Sequence, residues 1–130
     1  MLHPNQFQIN EAWIVFKLND APLQTEADGD FNVVALMDAA SCYILGSEFV
    51  PVRSKELSKT SARRLLQAGL SQAPNPPKKL LIPIKQPAGL LSEEAARLGL
   101  GVQRVEEDHL SVFTGEARAG FKERFGGRVQ

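Results

Sequence analysis

The stretch from Asn32 to Val50, NVVALMDAASCYILGSEFV, holds two apolar runs separated by Asp38, Ala39, Ala40 and Ser41. β-Branched and large apolar side chains suit a strand, and an aspartate followed by small residues suits the tight reversal between two strands. Phe31 to Met37 is therefore expected to be one strand. Cys42 to Val50 is expected to be the next, with Pro51 helping to end it. Asp38 has a sufficient use in the turn itself. Its carboxylate can accept hydrogen bonds from backbone N–H groups two or three residues onward, around Ala40 and Ser41.

Upstream, Ala12 to Asn19 (AWIVFKLN) places Trp13, Ile14, Val15 and Phe16 in succession, which reads as a strand covered on both faces. The polar segment DAPLQTEADGD after it is a loop. Three strands joined without helices indicate an antiparallel meander. Downstream the period changes. Ala62, Leu65, Leu66 and Gly69 or Leu70 recur at three and four, so Ser58 to Leu70 is an amphipathic helix capped by Ser58 or Thr60. The prolines of SQAPNPPKK stop it. Leu80 to Ile84 is a short fourth strand in which Pro83 marks an edge, a bulge or the strand's end. Ser92 to Leu98 is a second helix with Ser92 as cap and Glu93 and Glu94 in its first turn, closed by Gly99 and Gly101. Val102 to Val105 is a fifth strand. Leu110, Phe113, Ala117, Phe121 and Phe125 line a last helix despite Gly115 and Gly120, and the tail GGRVQ is expected to fray.

The chain has 130 residues, 43% of them hydrophobic and 23% charged, which is ordinary for one globular domain and argues against disorder. No apolar run approaches the roughly 20 residues that span a bilayer, and the N-terminus has neither a basic start nor an apolar signal core, so the expected location is cytoplasmic. Cys42 is the only cysteine, which excludes an intramolecular disulfide and a multi-thiolate zinc site. It is expected to act as a small hydrophobe in a strand. The formal net charge of zero conceals an asymmetry: residues 1–50 carry seven acids and one base, Lys17, whereas the remainder carries eight acids and fourteen bases. Such a molecule can present a basic face to an anionic partner or to the acidic face of another copy, although acidic loops and basic helix faces also account for the pattern.

The order of three strands, helix, strand, helix, strand, helix resembles the ribonuclease H-like architecture, an α/β fold with a five-stranded mixed sheet and helices on its faces. Within it the likeness is to the integrase core of transposases and retroviral integrases. Its members have a Trp in the first strand, as Trp13; a second strand ending in an Asp-containing turn, as VALMDAASCYILG; a proline–lysine lead-in to the fourth strand, as Pro77, Lys78 and Lys79; and a Leu-Gly step into the fifth, as Leu98 to Leu100. The resemblance covers residues 12 to 125 and implies phosphodiester chemistry on two divalent metals held by carboxylates on the first strand, at the end of the fourth, and on the late helix. At the first place, three residues after Trp13, stands Phe16. At the second stand Pro83, Ile84 and Lys85. The late helix offers Glu116, with Glu107 and Asp108 just before it. By this reading two of three metal ligands are missing. The expectation is a non-enzymatic binding or interaction module with no catalytic residues and no cofactor, its partner a protein or a second copy of itself. Asp38 and Glu116 remain weak metal candidates.

Other constellations carry less. Asp28, Gly29 and Asp30, with Glu26 and Asp20 nearby, do not have calcium-loop spacing, and His3 and His109 each lack a second ligand at useful spacing. A nucleic-acid contact is the alternative: Lys59, Arg63 and Arg64 on the first helix, with Lys55 before it, and Lys78 and Lys79 before the fourth strand can form a phosphate-binding patch. Against it, no aromatic residues are interleaved for stacking on bases, and Glu56 lies among the cations. A third reading is an enzyme with a displaced site built from Asp38, Glu48 and Glu116.

Overall fold

Four consecutive large apolar residues can all be buried only in a strand with cover above and below, and this places Ala12–Lys17 (β1) at the centre of the sheet. The computed structural model describes residues 2–27 and 29–125. After β1 follow β2 (Phe31–Asp38), β3 (Ile44–Pro51), α1 (Lys59–Leu70), β4 (Lys79–Pro83), α2 (Gly89–Arg97), β5 (Gly101–Val105) and α3 (Ser111–Phe125), with 3-10 turns at Pro4–Gln6 and Glu107–Leu110. The strand order is β3-β2-β1-β4-β5. β1–β2 and β2–β3 pair antiparallel, while β1–β4 and β4–β5 pair parallel. The mixed five-stranded sheet with helices on its faces is the architecture expected from the sequence.

Strand alternation divides the core in two. Trp13 and Val15 of β1, with Val34, Leu36, Leu80 and Ile82, pack beneath Ala62, Leu65 and Leu66 of α1 and Leu91 and Ala95 of α2. Ile14 and Phe16, with Ala35, Met37 and Leu81, face Leu110 of the 3-10 turn and Phe113 near the start of α3. Burying each of these large side chains contributes on the order of 1.5–3 kcal/mol. α1 comes so close to the sheet that a Cβ on Gly69 would lie 2.7 Å from the Trp13 ring and 2.8 Å from Leu36.

Several boundaries depart from expectation: β1 ends at Lys17 and not Asn19, β4 runs Lys79–Pro83 and not Leu80 to Ile84, and β5 begins at Gly101 and not Val102. β3 begins at Ile44 and not at Cys42, because the turn needs one more left-handed residue. Cys42 has φ 60°, its N–H donates to the Asp38 carbonyl at 2.8 Å, and the Asp38 N–H donates to Tyr43 O at 2.9 Å. α2 begins at Gly89, three residues before Ser92, so Glu93 and Glu94 lie past its first turn. The N-cap, Ala88, offers no side-chain acceptor, and the Glu56 carboxylate accepts from the Leu90 N–H at 2.7 Å instead. Pro83 is neither edge nor bulge: β4 lies between β1 and β5, and the proline, having no N–H, is its last residue. Of the two expected caps of α1, Ser58 is used, its Oγ accepting from Ser61 N–H at 3.1 Å. The tail from Gly126 and the side chain of Phe125 lie outside the described residues.

Candidate functional site

The three parallel strands β1, β4 and β5 end on the same side of the sheet, and ligands of open α/β sheets bind outside such carboxyl ends. Here the strand ends enclose a cavity of about 410 Å³. Val34, Val50, Leu57 and Leu91, all members of the core beneath α1 and α2, make its floor. Lys17, the last residue of β1, and Lys85, two residues past β4, stand on its rim with Lys55 and Arg118. Two carboxylates also line it, and both are engaged. Glu107 Oε1 lies 2.6 Å from Arg118 Nη2, and Glu56 accepts from the Leu90 N–H. Lys17, Lys55 and Lys85 make no ion pair among the described residues.

Two side chains fix the rim. Arg118 Nε donates to the Lys17 carbonyl at 3.0 Å, and its guanidinium carbon lies 5.5 Å from the ring centroid of Phe16, within cation–π range. Arg104 Nη2 donates to the carbonyls of Pro83 at 2.9 Å, Ile84 at 3.1 Å and Gln86, which ties down the loop carrying Lys85.

The residues singled out in the sequence lie as follows. Phe16 is fully buried on the α3 face, and Lys85 is exposed at the cavity. Glu116 is not at the cavity; it lines a separate groove with Ile44, Ala117, Phe121 and Arg124. Asp38 is 4% exposed at the opposite end of β1 from Lys17, opposite Trp13. Its Oδ1 accepts from Asn10 N–H at 2.7 Å, and its Oδ2 accepts from Ser41 N–H at 3.0 Å and Ser41 Oγ at 2.8 Å. Glu48 holds Arg64 by both carboxylate oxygens, Nε to each at 3.0 Å. Asp38 and Glu116 both bear on Cys42, while Glu48 is taken up by Arg64. Among the described residues no three His, Cys, Asp or Glu side chains are placed to hold a metal ion. Asp28 lies outside the described residues, and His3 caps the turn Pro4–Gln6.

The basic residues divide in the same manner. Arg63 Nε donates to Glu94 Oε1 at 2.7 Å, and Arg97 Nε lies 3.7 Å from Glu94 Oε2. The hydrogen bond from Arg63 holds the buried Glu94 carboxyl below its usual range, against the opposing effect of burial. Lys59 opens α1 near the carboxyl ends of the parallel strands, while Lys78 precedes β4 and Lys79 begins it at their amino ends, so the three lysines do not form one patch. Burial, followed by the charges of Asp38 and Glu116, pushes the Cys42 thiol above its ordinary value.

Among solved structures, the chain is similar to a chain of the simian T-cell lymphotropic virus intasome in complex with PP2A regulatory subunit B56 gamma. The identity is 10% and the TM-score 0.58, over 98% of this chain and 44% of that one. It is also similar to the catalytic core domain of BIV integrase, at 11% identity and TM-score 0.58, over 91% of this chain and 70% of that one. The fold is that of a retroviral integrase catalytic core. This chain spans less than half the length of the intasome chain. No family model and no curated protein matches the sequence.

Of the places to which the sequence resemblance assigns metal ligands, the end of β4, with Pro83 and Lys85, lines the cavity, whereas Phe16 and Glu116 do not. Lys17, Lys55, Lys85 and Arg118 bring positive charge to its lining, and Glu56 and Glu107 bring negative charge. Three of the residues that define the cavity, Lys17, Glu107 and Arg118, carried no distinct signal as a group in the sequence. Lys17 stands out only as the one base among residues 1–50, and Glu107 only as a carboxylate ahead of α3.

Proposed function

We propose that this domain is a binding module on an integrase-core fold, without two-metal phosphodiester chemistry, and that its ligand occupies the cavity at the ends of β1 and β4. One observation carries the reading. Where the resemblance calls for the first carboxylate, Phe16 is buried beneath the guanidinium of Arg118, with Lys17 adjoining it and Lys85 across the cavity. Two-metal chemistry needs hard anionic oxygen ligands at fixed places, and a cationic rim opposes a divalent ion there.

Nucleic-acid contact through Lys59, Arg63, Arg64, Lys78 and Lys79 has less support, because Glu94 and Glu48 already hold the two arginines. The test combines a thermal shift with magnesium, manganese and calcium and a cleavage assay on single- and double-stranded DNA. The expected outcome is no metal-dependent rise and no cleavage. A rise in melting temperature that the Glu116→Ala variant loses, or metal-dependent cleavage, overturns the reading, since binding to the native state stabilises it by mass action.

A further inference from the structure

We infer that the cavity binds a small phosphate-bearing molecule of about nucleotide size, an inference that rests on the cavity being the ligand site. The charge comes first. Four cations, Lys17, Lys55, Lys85 and Arg118, meet two carboxylates, Glu56 and Glu107, which leaves an excess of two positive charges on the lining. One phosphate carries roughly −1.5 to −2 charge at neutral pH and balances it, whereas a monocarboxylate balances only half. Like charges gathered around one concave space repel one another, and a bound dianion relieves that repulsion.

The second observation is independent of the lysines. α2 starts at the cavity with no acceptor from its own N-cap, and a carboxylate from another segment, Glu56, has taken the place at its Leu90 N–H. The positive end of this helix therefore already holds an oxyanion of the chain itself. The helix end thus accepts an oxyanion beside the cavity, while Lys17, Lys55, Lys85 and Arg118 supply the contacts to a phosphate.

Size and lining choose the rest of the ligand. A volume of about 410 Å³ lies within the usual range for small-molecule sites. The floor of Val34, Val50, Leu57 and Leu91 is apolar and offers contact area for a ring or sugar face. No aromatic side chain lines the cavity, so the stacking platform that single-stranded nucleic acid uses is missing. The loop bearing Lys85 is tied by Arg104, so part of the ordering cost of binding is met before the ligand arrives.

The probes are inorganic pyrophosphate, adenosine monophosphate and a single-stranded oligonucleotide, each titrated against the full chain by calorimetry at matched ionic strength. The variants are the double change Lys17→Ala with Lys85→Ala and, as a control away from the cavity, Lys78→Ala with Lys79→Ala. All four lysines are exposed, so both variants are expected to fold. The expected result is saturable binding of the two small phosphates, weakened about tenfold or more in the first variant, as for loss of direct charge contacts, and unchanged in the second. No saturation at millimolar concentration, equal loss in both variants, or binding of the oligonucleotide alone overturns the inference. None of these outcomes depends on the metal and cleavage assays, so failure here is separable from failure of the binding-module reading.

Discussion

Asp38 shows how a conspicuous acid becomes structural. Its side chain is nearly excluded from water, and both oxygens are used: one binds Asn10 ahead of β1, the other binds Ser41 inside the turn. The bond to Asn10 reaches further than the turn. Asn10 has φ 66°, and its Oδ1 accepts from the Trp13 indole N–H at 2.9 Å, so the carboxylate also orders the entry to the central strand. Hydrogen bonds to a charged group are worth about 1.5–3 kcal/mol net, and their loss leaves donors without a partner. Asp38→Ala should therefore cost about 3 kcal/mol, or roughly 10 °C in melting temperature for a domain of this size. Asp38→Asn, which keeps the shape and one acceptor, should cost less. Chemical denaturation of the two variants checks this. A loss under about 1 kcal/mol for the alanine variant would mean that the turn closes without the carboxylate.

At the scale of elements, the contact between α1 and the sheet is set by the absence of one side chain. Alanine is favoured over glycine by about 1 kcal/mol in a helix interior, yet at Gly69 the added Cβ would meet the Trp13 ring at 2.7 Å and Leu36 at 2.8 Å. Overpacking of this kind costs about 1–3 kcal/mol, and the ring cannot retreat within a filled core. Gly69→Ala should thus lower stability by about 1–2 kcal/mol, while Gly115→Ala, whose Cβ meets nothing within 4 Å in α3, should raise it by about 0.5–1 kcal/mol. Opposite signs in paired melting curves are the expected outcome.

The same elements explain what could be read from the sequence. Strands β1 to β3 and helix α1 were legible because their signals are local: apolar runs, a turn aspartate, a serine cap and a period near 3.6. The start of α2 was not, because its cap is Glu56, thirty-four positions before Leu90. The site was obscured for a related reason. Glu116 and Arg118 are two residues apart on α3 and therefore point to different sides. The glycines of α3 weaken the period that would have shown which of them meets the strand ends. Phe16 and Lys85 can each be placed at the strand ends from the sequence, but only the packing of α3 brings Arg118 over Phe16.

Across the whole molecule, the acidic and basic segments of the sequence meet at few points. Glu48 with Arg64 joins them, whereas Glu94 with Arg63 and Arg97, and Glu107 with Arg118, pair charges within the basic segment. Glu94 has the largest structural reach of these acids. It is buried between α1 and α2 and touches a guanidinium from each, so its charge holds together the layer that covers one face of the sheet. Its carboxyl is held below the ordinary value of 4.5, chiefly by the hydrogen bond from Arg63. A group whose folded pKa is depressed contributes stability that is complete above its unfolded value and disappears as pH falls through the folded one. Glu94→Gln should accordingly be less stable than the native chain at pH 7, and the gap between them should narrow as pH drops below about 4.5. Urea midpoints measured from pH 7 to pH 3 test this directly. Parallel curves would show that the α1–α2 layer is held by its apolar contacts alone. Convergence would show that protonation of Glu94 releases the tie between α1 and α2.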